Sequence, residues 1–460
     1  MLTVFSSRRN LAFKVAAFAL LSLMTCASAF AQTDEDEFDL EIGLQSFDTV
    51  WKTIDERHWD DELVGESWDE ARTKWRAEAE KAESTQDIRV AIEGLIGELG
   101  QSHFGVIPAD TYEEMEGEDE DEGEEDDGDA DPGLTFRACG GDILVTAVRA
   151  GSSADEQGIR PGWTLVSYKG KSAQEFINRM KEAASGPTRM ETLVGLYLAC
   201  SVRGPEGGTR DFVFETPEGD EKEMTLELST PPGKPTTLGN LPTMYVTSEE
   251  RTLDGGYGYY AFSMFLDPVR IMTEYRAFVA KEEHSNGIII DLRGNLGGAA
   301  GMTMGMASVF TGEEQQLGTM TTRGADGSKT ELKFVVFANP DPVTAPVAIL
   351  VDEVSISSAE IFSGGMQDMG RAMVFGSRTA GLALPSVVVK LPNGDGFQYA
   401  IADYHSLSGK SLEMDGVIPD EVIELTVENL TGSEIGDPVL ERAIQWIESV
   451  NNESQNNSDN

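Results

Sequence analysis

Positive charge is scarce in this chain. Of 460 residues, 35 are Lys or Arg against 81 Asp or Glu, which leaves a formal net charge of −46. Such a surface repels phosphate backbones and anionic lipid, so neither nucleic acid nor a charged membrane face is expected as a partner. Histidine and cysteine are scarcer still, at four and three residues. They form no cluster with metal-ligand spacing, and neither a metal nor an organic cofactor is implied. Beyond residue 31 no stretch is long and apolar enough to cross a bilayer as a helix, which argues against stable membrane insertion.

The N-terminus reads as an export signal. Arg8, Arg9 and Lys14 precede and enter the apolar run LAFKVAAFALLSLM, and Ala29 and Ala31 stand at signal-peptidase spacing. Residues 1–31 are therefore expected to be cleaved before Gln32, sending the mature chain to the periplasm or outside the cell. Ser7 to Leu11 also resembles a twin-arginine signal. Cleavage would remove Cys26, which follows a poor lipobox, and leave Cys139 and Cys200. In an oxidising compartment these could pair or remain two buried thiols, and spacing alone does not decide.

Residues 37–112 carry helical patterning. Phe47, Val50, Trp51 and Ile54 share one face, Trp68, Ala71 and Trp75 another, and a third helix opens at Ser84 and stops at Gly100. Residues 113–131 hold fourteen acids and no base. A run so charged cannot bury enough apolar surface to fold and is expected to be a disordered linker. Its even smear of Asp and Glu lacks the fixed spacing of a calcium loop. Residues 132–230 alternate short strands and glycine turns, with a helical stretch over 173–200. From 240 to 450, strands and helices alternate as in an α/β core, with buried strands at 287–291 and 345–351. Residues 451–460, NNESQNNSDN, read as a frayed, disordered tail.

Two turns follow those buried strands. One is LRGNLGG at 292–298. The other holds three serines, Ser355, Ser357 and Ser358, in VDEVSISSAEIF at 351–362. A strand-to-helix turn can hold a nucleophile rigidly while backbone N–H groups face a developing oxyanion. Glycine turns after strands also bind phosphate, but no P-loop lysine follows here.

Two resemblances sharpen this reading. The order strand, GSSADEQG, IRPGW, strand, KGK over 132–230 resembles a PDZ domain of the bacterial protease type. That implies a peptide-binding loop at Gly133, Leu134, Thr135 and Phe136, with a strand edge that pairs with a polypeptide C-terminus. DLRGNLGG at 291–298 with SSAEIFSGGMQDMGRA at 357–372 resembles the C-terminal (tail-specific) processing peptidases and their tricorn-core relatives. This implies a ClpP/crotonase-like α/β core, an N-terminal helical segment, an inserted PDZ-like β domain, and Ser357 as nucleophile. Processing peptidases take their base from a lysine in TxGKG. The equivalent stretch here is Thr379-Ala380-Gly381-Leu382, and a leucine accepts no proton. Lys390 and Lys410 fall outside the motif.

Histidine then has to serve. His58, His284 and His405 read as surface or structural residues. His103, in GELGQSHFG, matches the Ser-His pair of the tricorn-core branch, with Glu413 before GVIPD as its partner. The resemblance implies His103 as base and Ser102 and Glu413 as the groups that orient it. It places the oxyanion hole at the N–H groups of Ser358 and Gly297, with Gly298 the alternative one position on. Met414 departs from the small polar residue that relatives tend to carry there.

The expected function is an exported serine endopeptidase acting on polypeptides through an acyl-enzyme, compatible with a homo-oligomer. Two rivals remain at this stage: an inactive peptide- or apolar-ligand-binding protein on the same scaffold, and a scaffolding protein centred on the PDZ-like domain.

Overall fold

The computed structural model describes residues 38–109, 112, 128–183, 187–236, 244–281, 286–324 and 326–458. The expected signal sequence, most of the acidic run and His284 lie outside them. Among the described residues no helix is long and apolar enough to cross a membrane.

Three amphipathic helices come first: α1 (Leu40–Arg57), α2 (Glu66–Ala79) and α3 (Thr85–Gly97). The α3 start follows the sequence reading: Ser84 is its N-cap, and its hydroxyl accepts from Asp87 N at 3.2 Å. The expected apolar faces meet in one cluster of Phe47, Val50, Ile54, Trp68, Ile88, Ile92 and Leu95. His58 is the C-cap of α1.

A β domain follows. Its strands are β2 (Leu134–Cys139), β3 (Asp142–Val148), β4 (Thr164–Tyr168), β5 (Lys171–Ser172), β6 (Thr209–Glu215) and β7 (Glu221–Glu227), counted after β1 (Gly105–Ile107). They pair in the order β2-β3-β4-β6-β7, with β5 on β4, so β2 is an edge strand. The short α4 (Ser153–Glu156) precedes β4. The helical stretch at 173–200 is two helices, α5 (Ala173–Ala183) and α6 (Pro187–Ser201). The expected linker ends earlier than 131, because Ala130 and Asp131 bridge to Gly204 and Ser229 and Ala130 is buried. Cys139 and Cys200 are unpaired thiols, and burial raises the pKa of both.

The short β8 (Lys234–Thr236) and β9 (Met244–Val246) lead into the α/β core. Its main sheet runs β10 (Ser248–Leu253), β11 (Tyr257–Phe262), β12 (Gly287–Asp291), β15 (Val347–Val351), β16 (Met373–Gly376), β20 (Glu421–Val422). Only the β10–β11 pair is antiparallel. Every residue of β12 and β15 is buried, which is why both read as unbroken apolar runs and not as alternating ones. The helices α7 (Pro268–Val279), α8 (Ala300–Ala307) and α9 (Ser358–Asp368) supply Ile271, Tyr275, Phe278, Met306, Phe362 and Met366 to the main core. After α10 (Val427–Gly432), α11 runs Pro438–Ser458, so the polar tail continues a helix where a frayed end was expected.

Three more strands form a sheet in the order β1-β18-β17, with β17 at Ser386–Lys390 and β18 at Gly396–Ala400. This sheet ties the segment after the N-terminal helices to residues 386–400 of the core. Val106 in β1 pairs with Phe397, and Phe397, Leu391 and Leu384 join the helical cluster. The segment just before β1, which carries Ser102 and His103, is thereby fixed to the core. A third sheet runs β14 (Lys329–Val336), β13 (Gln315–Arg323), β19 (Ala402–Ser406), with His405 in β19 as its polar patterning suggested.

Candidate active site

Because β12 and β15 are parallel neighbours, the two turns that follow them lie side by side, and their bonds interlock. Leu292 N donates to Leu350 O at 2.9 Å, and Ile356 N to Asn295 O at 2.9 Å. Asp352 Oδ1 accepts from Gly294 N at 2.8 Å and Val354 N at 3.1 Å. Two of the three serines are spent on this interlock. Ser355 Oγ donates to Leu292 O at 2.7 Å, and Ser358 Oγ to Gly298 O at 2.8 Å.

Ser357 stands at the N-cap of α9 and is half-buried. Its φ is 56° and its ψ −113°, a conformation that non-glycine residues hold only when their surroundings force it. His103 and Met414 share the positive φ, at 62° and 65°. These are three of the five such non-glycine residues among the described residues, and all three lie here.

The surroundings that force Ser357 centre on Glu360. This fully buried carboxylate accepts four hydrogen bonds. Thr379 Oγ1 and Gly381 N donate to Oε1 at 2.7 and 2.8 Å, and Ser357 N and Leu382 N to Oε2 at 2.9 and 3.0 Å. Burial nevertheless pushes the group up to about 7, with those donors opposing it. Ser357 N is also 3.1 Å from Leu382 O.

The other half of the site begins at Ser102. Its N–H donates to Glu413 Oε1 at 2.6 Å and its hydroxyl to Oε2 at 2.9 Å. The same hydroxyl oxygen lies 2.6 Å from His103 Nδ1. A carboxylate only accepts, so the single hydroxyl proton of Ser102 goes to Glu413. Nδ1 must then carry a hydrogen and donate to Ser102 Oγ, which leaves the lone pair of a neutral ring on Nε2. His103 is 3% exposed.

The two halves share a wall. Met414, next to Glu413, donates its N–H to Gly381 O at 2.9 Å, and Thr379 Oγ1 accepts from Val417 N at 2.6 Å. Glu360 binds the same Thr379 and Gly381 from the Ser357 side. The structure thus brings Ser357, Ser358, Ser102, His103 and Glu413 around the segments 379–382 and 413–417.

Gly297 needs correction as an oxyanion donor. A Cβ on it would come within 2.8 Å of Ser357 Cβ and 3.1 Å of Ser358 N, so glycine is required against the serine turn. Its N–H, however, is taken by Asn295 Oδ1 at 2.9 Å. The adjacent bridge between Phe265 and Gly298 is made through Gly297 O and Ala299 N, which leaves the Gly298 N–H outside the ladder. Ser358 opens α9, so its N–H is one of the donors that a helix start leaves unused.

Gly133, Leu134, Thr135 and Phe136 lie apart from these groups, at the start of the edge strand β2. The next residue, Arg137, reaches the site: Nη2 is 2.6 Å from Asp352 Oδ2, and Nε is 3.3 Å from Glu353 Oε1.

Residues 257–423 match the family described as Peptidase family S41. Over 420 residues the chain is 24% identical to a carboxyl-terminal-processing protease of Synechocystis, covering 90% of this chain and 87% of that protein. By these matches the chain is a serine-type peptidase whose core is similar to family S41 and whose relatives include carboxyl-terminal-processing proteases. The peptidase is also 25% identical over 337 residues to a probable CtpA-like serine protease of Staphylococcus haemolyticus, covering 72% of this chain and 59% of that one. Two solved structures share the fold. The photosystem II D1 C-terminal processing protease matches with a TM-score of 0.54 at 18% identity, over 86% of this chain and 96% of that one. Mature CPAF complexed with lactacystin matches with a TM-score of 0.59 at 15% identity, over 89% and 98%.

Sequence reasoning missed three groups that hold the peptidase's site. Glu360 could be read as a helix cap, but its reach to 379–382 could not. Asn295 sits inside the glycine turn with no pattern to mark it. Arg137 and Asp352 are 215 positions apart, and no local signal links them.

Proposed function

We propose that this peptidase is exported and cleaves polypeptides through a covalent acyl-enzyme, with Ser357 as nucleophile and His103 as base. The observation that carries the reading is the Glu413–Ser102–His103 chain, which leaves the base-competent lone pair on Nε2. In the first step Ser357 Oγ bonds to the scissile carbonyl carbon, and its proton passes to His103 Nε2. The imidazolium then protonates the leaving amine as the C–N bond breaks. Water repeats the sequence, giving its proton to the same nitrogen and releasing the new carboxylate. Glu413, through the Ser102 hydroxyl, holds the ring and stabilises its charged form. Ser358 N–H and Gly298 N–H receive the oxyanion in this scheme, and the α9 N-terminus adds its dipole.

The β domain acts as a PDZ-like module, with the β2 edge and the Gly133–Phe136 segment taking the C-terminus of a substrate. Its position at the edge of the sheet supports this, because an edge strand has backbone groups able to pair with an added strand.

The test compares hydrolysis of an unfolded polypeptide, and labelling by a fluorophosphonate, in wild type, Ser357→Ala and His103→Ala. Loss of hydrolysis in both variants, with loss of label in Ser357→Ala, supports the mechanism. Equal turnover in all three removes it, and absence of both labelling and turnover in the wild type favours a binding protein on this scaffold.

A further inference from the structure

His58 is fully enclosed, at 1% exposure, and its imidazole contacts both sides of the Ser102–His103 pair. Its Nε2 is 2.7 Å from Gln101 Oε1, the side chain just before Ser102. Its ring faces that of Phe104, just after His103, with centroids 5.9 Å apart, and stacks on Trp59 at 4.3 Å. The other ring nitrogen is also engaged: Asp60 N donates to Nδ1 at 3.1 Å. That bond fixes the tautomer, because Nδ1 must offer its lone pair and Nε2 must carry the hydrogen given to Gln101. Neutral His58 satisfies both contacts. A second proton would set N–H against the Asp60 N–H.

We propose that His58 is a positioning residue for the catalytic histidine, holding the 101–104 turn so that His103 keeps its left-handed backbone and its ring stays aligned. This rests on the reading of His103 as the base. Left-handed backbone at a non-glycine residue is strained and persists only where neighbours over-determine it. Side chains supply that determination here. Glu413 takes Ser102 N, Glu93 Oε1 accepts from Val106 N at 2.9 Å, and His58 secures Gln101. Glu413 anchors the turn from the core, whereas His58 anchors it from the C-terminal cap of α1. The helical segment thereby does more than carry the histidine.

The charged groups around His58 come from three elements. Asp60 lies on its own loop, Asp403 is on β19, and Arg323, on β13, donates through Nη1 to His58 O at 3.2 Å while pairing with Asp61 at 3.1 Å. The two aspartates favour a charged ring. Burial outweighs them and holds the pKa below its ordinary value.

The experiment uses the full chain and measures the rate of Ser357 acylation by a fluorophosphonate, with kcat and KM on a polypeptide. The variants are His58→Phe, which keeps the ring stack but loses both polar contacts, Gln101→Leu, their combination, His58→Gln, and His103→Ala. Displacing a base by a fraction of an ångström to an ångström costs on the order of 10- to 100-fold. His58→Phe and Gln101→Leu should each lower kcat and the acylation rate by about tenfold or more, with KM unchanged. The double variant should fall no further than His58→Phe alone, because Gln101→Leu cuts a contact that His58→Phe has already removed. His58→Gln, whose amide can still donate to Gln101, should recover most of the loss. Wild-type rates in folded His58→Phe, or single losses that multiply in the double variant, overturn the proposal. If His58→Phe does not fold, wild-type rates in Gln101→Leu overturn it. Wild-type acylation in His103→Ala instead overturns the base assignment, and this inference with it, whereas a dead His103→Ala beside an unaffected His58→Phe overturns this inference alone.

Discussion

Leu382 O accepts a hydrogen bond from Ser357 N at 3.1 Å, so the residue that the motif resemblance aligns with the lysine base of processing peptidases is bonded to the backbone of the proposed nucleophile. Its side chain is 3% exposed and packs with Leu196, Val354, Ile356 and Ala380. A leucine side chain there accepts no proton. Restoring the lysine should therefore harm the protein. Leu382→Lys would place an ammonium in the apolar cluster of Leu196, Val354, Ile356 and Ala380, destabilising by roughly 3 kcal/mol and depressing that lysine's pKa. Urea unfolding and acylation rates check this, and a variant as stable and as active as wild type would show that the pocket accepts a second base.

Glu413→Gln should separate tautomer control from fold. The glutamine amide can donate to Ser102 Oγ, which turns the Ser102 hydroxyl proton toward His103 Nδ1. The neutral ring then carries its hydrogen on Nε2 and cannot accept from Ser357. A drop in kcat of about 10²- to 10⁴-fold with little change in KM is expected. Glu413→Ala, which removes the partner without imposing the wrong tautomer, should lose less.

Much of this architecture could be read from the sequence because local physics wrote it there. Helical periodicity marked Phe47, Val50 and Ile54, the cap at Ser84 was legible, and the buried strands 287–291 and 347–351 showed as apolar runs. The order of the motifs pointed to Ser357, Ser102, His103 and Glu413. What could not be read was everything decided by a contact between distant segments. Gly297 and Gly298 differ by one position, and only the Asn295 side chain settles which N–H is engaged. The polar tail offered no apolar run, yet Val439, Leu440, Ala443 and Ile447 of α11 bury against Ile289 and Leu350 and the helix continues past them to Ser458. His58 looked inert because its partner Gln101 is 43 residues away.

The Glu360 carboxyl gives stability and activity opposite pH trends. Burial raises it from 4.5 to about 7 in the folded protein. Between those values the folded state binds more protons than the unfolded state, so stability falls as pH rises through this window. Full acceptance of its four donors, however, needs the ionised form, so the site tightens over the same range. Melting temperature should decline from about pH 4.5 to about pH 7 while the acylation rate climbs. Glu360→Gln should abolish its share of the melting trend. It should also cost about 1–3 kcal/mol, because one amide N–H must face an N–H or O–H donor. A variant with the wild-type melting profile would assign that trend to other groups.

Arg137 links the β domain to the serine turn through a buried ion cluster. Its guanidinium is enclosed with Asp352 and Glu353, and burial, then the neighbouring Asp352, pushes Glu353 up to about 7. Asp352 also holds Gly294 N and Val354 N, the bonds that interlock the two turns. Removing the cation leaves two buried carboxyls facing each other with nothing to compensate them. Arg137→Ala should destabilise by about 3–5 kcal/mol and slow acylation, because one carboxyl must take up a proton and the turn loses a fixed acceptor. Arg137→Lys restores the charge but not the fork, and should recover only part of both. Chemical denaturation with acylation rates on the same samples checks this. Stability lost without any loss in rate would mean that the cluster holds the two domains together while the nucleophile turn keeps its shape unaided.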